Sequence, residues 1–175
     1  MKKIMMIAAM AFISAAAFAQ TKIAHVNFSE LVQLMPEADE ARATMQASSN
    51  EAQETYQAMM DEFQTKYNQY QQKSSTWTAT IRESKEKELT DIQNRIQEFS
   101  QSIQMELQEQ EQNLMAPLYQ KAQDAVNKLA KDGGYTYVMD KSSFLYVDEN
   151  TRVDLTAAAR KALNIPDGRT LETLQ

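Results

Sequence analysis

Between Glu37 and Asp132 the chain has no glycine and one proline, Pro117. That run excludes most compact folds, because tight turns need residues free to take unusual backbone angles. Its composition is dominated by Gln, Glu, Ala, Met and Lys, whose unbranched side chains lose little freedom in a helix. Pro36 stands at the front, where a first-turn residue needs no amide hydrogen, and Gly133-Gly134 at the back, where a left-handed cap needs no Cβ. Glu37, Asp39 and Glu40 supply the negative charge that a helix start favours. One stretch interrupts the pattern, Ser74-Ser75-Thr76-Trp77-Thr78-Ala79-Thr80, whose hydroxyls compete for backbone partners.

Two long helices folded back on each other are therefore expected. Apolar positions in the first arm step by three and four: Ala52, Tyr56, Met59, Phe63, Tyr67, Tyr70. Leu89, Ile92, Ile96, Phe99, Ile103 and Leu107 do the same in the second. Pairing Ala52 with Ile103, Tyr56 with Phe99, Met59 with Ile96 and Phe63 with Ile92 keeps the sum of the two positions constant, as an antiparallel pair requires. That constant puts the turn between Trp77 and Thr78, inside the interruption. Beyond Ile103 the steps lengthen through Leu107, Gln110, Leu114 and Leu118, so the seam should loosen. Pro117 removes a ladder hydrogen bond and marks an expected hinge.

The chain begins with an export signal. Lys2 and Lys3 precede a short apolar run, Ile4 to Ala17, and Ala17-Phe18-Ala19 is a small-x-small cleavage site before Gln20. The run is too short to span a bilayer, so no stable membrane insertion is expected. Without residues 1–19 the chain carries 16 basic and 24 acidic groups, a net of −8, and it has no cysteine to form a disulfide. An exported protein of a bacterial periplasm is indicated, and the acidic balance gives no footing for nucleic acid.

Lys22 to Val26 reads as a strand. Asn27 with Glu30 reads as a reciprocal capping box that opens a short helix, Phe28 to Met35. After Gly134 the period changes to alternation: Tyr135 to Met139 and Phe144 to Val147, joined by Asp140-Lys141-Ser142-Ser143, read as a β-hairpin. Asp148-Glu149-Asn150 is a polar turn, and Val153-Asp154-Leu155 a possible further strand. Thr156 is expected to cap a helix running to Asn164, and Asp167 to Gln175 to be a poorly ordered tail. The domains are then a signal peptide at 1–19, a β-containing body at 20–36 and 133–175, and a helical arm at 37–132. A body of about 60 residues is marginal alone, and a short sheet with open edges invites pairing with further copies. Ile23, Val26, Tyr135, Tyr137, Met139, Phe144 and Tyr146 are the candidate residues of that oligomeric body.

Lys22-Ile23-Ala24-His25-Val26-Asn27 ahead of the long helices, then Tyr135 to Val147, Val153-Asp154-Leu155-Thr156 and a last short helix, resemble the Skp/OmpH family of periplasmic chaperones. The order of elements matches over the whole chain after the signal. The fold class expected is α+β, mostly α: a long antiparallel coiled-coil hairpin on a small β-containing body. The resemblance implies a jellyfish-shaped homotrimer with an intersubunit β-barrel, whose arms enclose unfolded outer-membrane proteins without ATP. No cofactor is implied. A departure is visible: the arms hold 10 basic and 17 acidic residues, although Lys66 to Arg95 alone is net +2. Broad electrostatic capture, and a lipopolysaccharide site borrowed from the family, find no support in these residues.

Tyr67, Tyr70 and Trp77 are candidate client contacts near the turn, or they close the end of the coil. Met60 and Met105 offer an adaptable surface, or they fill the seam. The abundant glutamines form a solvated helix face, or offer amides to an unfolded backbone. A lone His25 in a strand is structural rather than a metal ligand, and Asn27-Phe28-Ser29 is better explained by helix capping than by glycosylation. One histidine, no cysteine and no glycine-rich loop leave no means of assembling a catalytic, metal or phosphate site, so no enzyme is expected. A structural or adaptor coiled coil of the envelope is the alternative to a chaperone.

Overall fold

A computed structural model describes residues 21–148 and 153–174. The proposed signal, residues 149–152 and the last residue lie outside this range. The elements are β1 (Ile23–Val26), α1 (Phe28–Leu34), α2 (Pro36–Lys73), α3 (Ala79–Gly133), β2 (Tyr137–Asp140) and α4 (Thr156–Ala162). Short 3-10 turns cover Ser74–Thr76, Lys141–Ser143 and Leu171–Leu174. The chain forms two compact units. One is Glu37–Pro117; the other holds the described residues up to Pro36 and from Leu118 onward. The last turns of α3 thus group with the body, whereas the arm was drawn to Asp132 from the sequence.

In the arm unit, α2 and α3 are separated only by the Ser74–Thr76 turn, extended Trp77 and Thr78. Thr78 opens α3, its carbonyl accepting from Arg82 N at 3.0 Å and its hydroxyl from Ile81 N at 3.4 Å. The turn is where the sequence placed it. Pairs that cross between the helices keep the expected register: Lys66 with Glu88, Tyr70 with Glu86, and Arg95 with Glu62 at 3.0 Å.

The seam itself needs one correction. Ala52, Met59, Phe63 and Tyr70 are partly covered as expected, and Ile92 is only 2% exposed, but Tyr56 and Tyr67 are 40% and 39% exposed. Thr55 and the stem of Lys66 take the covered positions beside them. Two helices can shield only a narrow stripe, and the larger rings lie at its margin.

In the body, β1 is central. It pairs in parallel with β2, Ile23 opposite Tyr137 through Val26 opposite Asp140. On its other edge His25 bridges Asp154, with His25 N donating to Val153 O and Leu155 N to His25 O, both at 2.9 Å. Ala24, Val26, Leu31, Val32, Leu34 and Met35 are buried with Leu118, Ala122, Val126, Leu155, Ala159, Leu163 and Ile165. The four-residue step of Leu118, Ala122 and Val126 shows which face of α3 is covered. Met35 is extended (ψ 140°), as a residue before proline prefers, which ends α1 and lets α2 start at Pro36. At the end of α3, Gly134 takes φ 65°, and a Cβ on Gly133 would lie 2.3 Å from the Tyr135 ring.

Four expectations fail in the body. The β-hairpin does not form. The Asp140 carboxylate accepts from Ser142 N at 2.7 Å and from its hydroxyl, which coils 141–143 into a 3-10 turn. The Phe144 ring then lies edge-on to His25 at 6.4 Å, so the segment crosses β1 instead of returning along β2. The capping box is only half made: Asn27 Oδ1 accepts from Glu30 N at 3.3 Å, but Asn27 N donates to the Thr156 hydroxyl at 3.0 Å. Thr156 is therefore not the cap of α4; it is the first helical residue, and Asp154 Oδ1 accepts from its amide at 2.8 Å. The segment 167–174 is folded back, since Arg160 donates to the carbonyls of Pro166 and Arg169 and to Glu30 at 3.0 Å.

Candidate functional site

The arm surface near the turn combines aromatic and charged groups. Phe63 and Tyr67 stack at 5.9 Å, and Tyr70 meets Trp77 edge-on at 6.0 Å. Tyr70 and Trp77 are half-buried and close the end of the coil, while Tyr67 keeps part of its ring in solvent. Tyr70 donates to Glu86, and this bond raises the phenol above its usual range. Glu88 accepts from both Lys66 and Lys85, which pulls its carboxyl down to about 2. Met60 and Met105 are exposed, Met105 by 65%, so neither fills the seam. These five exposed or half-covered positions do not converge into one pocket. They are scattered over the helix faces.

Farther from the turn the helices leave space. A groove of about 610 Å³ lies between Ser48, Ala52 and Thr55 on one side and Phe99, Ile103 and Leu107 on the other, with Glu51, Glu106 and Glu109 at its edges. A second, of about 480 Å³, lies on the other side of Leu107 and Leu114, lined also by Ala41, Met45 and Met115. Leu107 and Leu114 thus stand between two openings. The cause is local: alanine, serine and threonine on α2 are too short to fill the stripe that Phe99 to Leu114 presents. Sequence reasoning anticipated a looser seam here from the step lengths. It missed the grooves, whose signal was the run of small residues Ala41, Ala43, Ala47, Ser48, Ser49 and Ala52.

In the body, apolar side chains cluster at the surface of the sheet. Ile23, Tyr137 and Met139 are exposed, and beyond them Leu145 and Tyr146 are almost fully so. Val26 is buried, Phe144 is partly covered on His25, and Tyr135 packs beneath Lys22 Nζ at 4.2 Å. The candidate oligomerisation residues therefore split: Val26 belongs to the core, Tyr135 closes the end of α3, Phe144 is partly covered, and Ile23, Tyr137, Met139 and Tyr146 are exposed. Leu145, the most exposed of all, was missed because only alternate residues of the supposed hairpin were picked. Among the described residues β2 has a hydrogen-bonded neighbour on one side only.

His25 is 3% exposed, with Nδ1 3.0 Å from Val153 O and Nε2 3.5 Å from Asp154. It fastens β1 to the segment before α4. Burial opposes the charge on Asp154, yet the bonds from Thr156, with His25 and Lys141 nearby, hold its carboxyl below the ordinary range. Asp140 is held low by the Ser142 hydroxyl, with the Ser142 and Phe28 amides adding to it. Among the described residues no group of three or more histidines and carboxylates could hold a metal ion, and no helix is long and apolar enough to cross a membrane.

A unit of two long paired helices and a small sheet-containing unit, both within one chain, define the class of fold. The chain matches the family described as outer membrane protein (OmpH-like) over residues 22–163, and it belongs to that family. A solved structure of an OmpH-like protein from Caulobacter crescentus is similar, with a TM-score of 0.72 and 16% identity, covering 83% of this chain and 85% of the other. At that identity the likeness establishes the fold. Comparison with curated proteins found no match.

Proposed function

We propose that this protein is an ATP-independent holdase of the periplasm, exported by cleavage after Ala19, that keeps outer-membrane β-barrel proteins unfolded among its helical arms. The observation that carries the proposal is the arm itself. Apolar side chains such as Met60, Tyr67 and Met105 stay in water on a scaffold that has little core of its own to protect. Many weak contacts of this kind would hold a client firmly in sum and leave it mobile. The exposed apolar residues Ile23, Tyr137, Met139, Leu145 and Tyr146 and the open side of β2 support assembly through the body, and the family resemblance favours three copies. Pro117, where the two units of the chain meet, is the proposed hinge.

The test is client binding across salt. With 17 acidic and 10 basic residues on the arms, affinity for an unfolded outer-membrane protein should change little between low and moderate salt. Replacing Tyr67, Tyr70 and Trp77 together should weaken binding more than neutralising Lys85 and Lys87. A steep salt dependence, or a larger effect of the lysines, would assign capture to the basic stretch near the turn. An adaptor coiled coil would bind no unfolded client at all.

A further inference from the structure

From Arg42 to Lys66 on α2, and from Arg95 to Lys121 on α3, no lysine or arginine intervenes, while eight carboxylates do. Three of these, Glu51, Glu106 and Glu109, stand around the larger arm groove, whose apolar side is Phe99, Ile103 and Leu107. None of the three makes an ion pair among the described residues. The arm therefore carries an apolar floor bordered by uncompensated negative charge. Such carboxylates repel one another, and a cation placed among them relieves that repulsion, more effectively beside an apolar wall than in open water.

We propose that this groove takes a cationic amphipathic segment of an unfolded polypeptide. Its apolar side chains lie against Phe99, Ile103 and Leu107, and its lysines or arginines meet Glu51, Glu106 and Glu109. The proposal rests on the holdase reading and names the part of a client that the arm seizes. It also gives the acidic balance of the arms a purpose: acidic segments are turned away, and basic apolar ones are retained. The same stretch of a second copy is a poor occupant, because it carries the same sign of charge.

Three labelled synthetic peptides test this, equal in length and leucine spacing, with polar positions all lysine, all glutamine or all glutamate. Fluorescence anisotropy on the purified protein should rank them lysine, glutamine, glutamate. Changing Glu51, Glu106 and Glu109 together to glutamine should weaken the lysine peptide by about tenfold, as three modest charge contacts would. The corresponding amide substitutions at Glu40, Glu83 and Asp91, outside the groove lining, should alter it by no more than about twofold. Equal binding of all three peptides, or equal losses in both triple variants, overturns the proposal. So does a change in mass by light scattering in the groove variant, which would make a second copy the occupant. Suppression of aggregation of an unfolded outer-membrane protein is measured on the same samples. Suppression without peptide preference refutes the groove alone; peptide preference without suppression refutes the holdase reading alone.

Discussion

Near the turn, the two arm helices are bound to each other by side chains that reach across. Lys66 meets Glu88, Tyr70 meets Glu86, Arg95 meets Glu62, and Ile92 is sealed from water. Farther along, residues 43–60 and 96–117 contain no cation, so no salt bridge can form there, and small residues face large ones across two grooves. The helix propensity of both regions is alike; what differs is side-chain length and sign of charge. Continuous helix therefore does not imply a continuous core. A two-helix coil closes where long side chains can span it and opens where they cannot.

The sharpest way to break this comparison is to truncate a seam residue in each region. Ile92→Ala should destabilise the arm by about 2–4 kcal/mol, the usual cost of emptying a sealed aliphatic site. Leu107→Ala, beside both grooves, should cost about 1 kcal/mol, because water already reaches it. Denaturant unfolding followed by helical circular dichroism reads both. Equal losses would mean that the grooves are closed in solution. The converse change should help: Ala52→Leu, placed against Ile103, should stabilise the arm by about 1 kcal/mol by filling space.

The turn was legible because two signals agreed, a break in composition at 74–80 and a constant sum along the seam. The observed cross-arm pairs fall close to that sum. Tyr56 and Tyr67 were misplaced because hydrophobic letters are not seam positions; Thr55 and Lys66, less apolar, hold the better angle on the helix. The body was harder. Alternation in Phe144 to Val147 suggested a second strand, but one carboxylate, Asp140, set the turn and sent the segment across β1. Thr156 and Arg160 act on Asn27, Glu30 and Arg169, partners a local pattern cannot reveal because most are far away in sequence. The grooves depended on what faces what, which no single helix states.

A smaller effect should come from the Arg95–Glu62 bridge at 3.0 Å, whose partners are both well exposed. A double-mutant cycle with Arg95→Gln and Glu62→Gln should give a coupling of about 0.3–1 kcal/mol, falling with added salt. A coupling of zero would leave closure near the turn to the packing at Ile92 and to the Lys66–Glu88 and Tyr70–Glu86 contacts.

The smallest expected effect is a response to acid confined to the closed region. Glu88 accepts from Lys66 and from Lys85, and these bonds hold its carboxyl near 2 instead of the ordinary 4.5. A carboxyl lowered by folding adds stability above its unfolded value and loses it as pH falls toward the folded one. Hydrogen exchange of the amides around Glu88 should therefore show protection declining between about pH 4.5 and pH 2. The side chain is one-third exposed, so screening by water limits the loss to roughly 0.5 kcal/mol. Glu88→Gln, which keeps the shape and removes the charge, should lower protection at neutral pH and flatten the decline. If the variant shows the same acid slope as the parent, other carboxylates of the arm carry the response, and the triad is an exposed contact without consequence for closure.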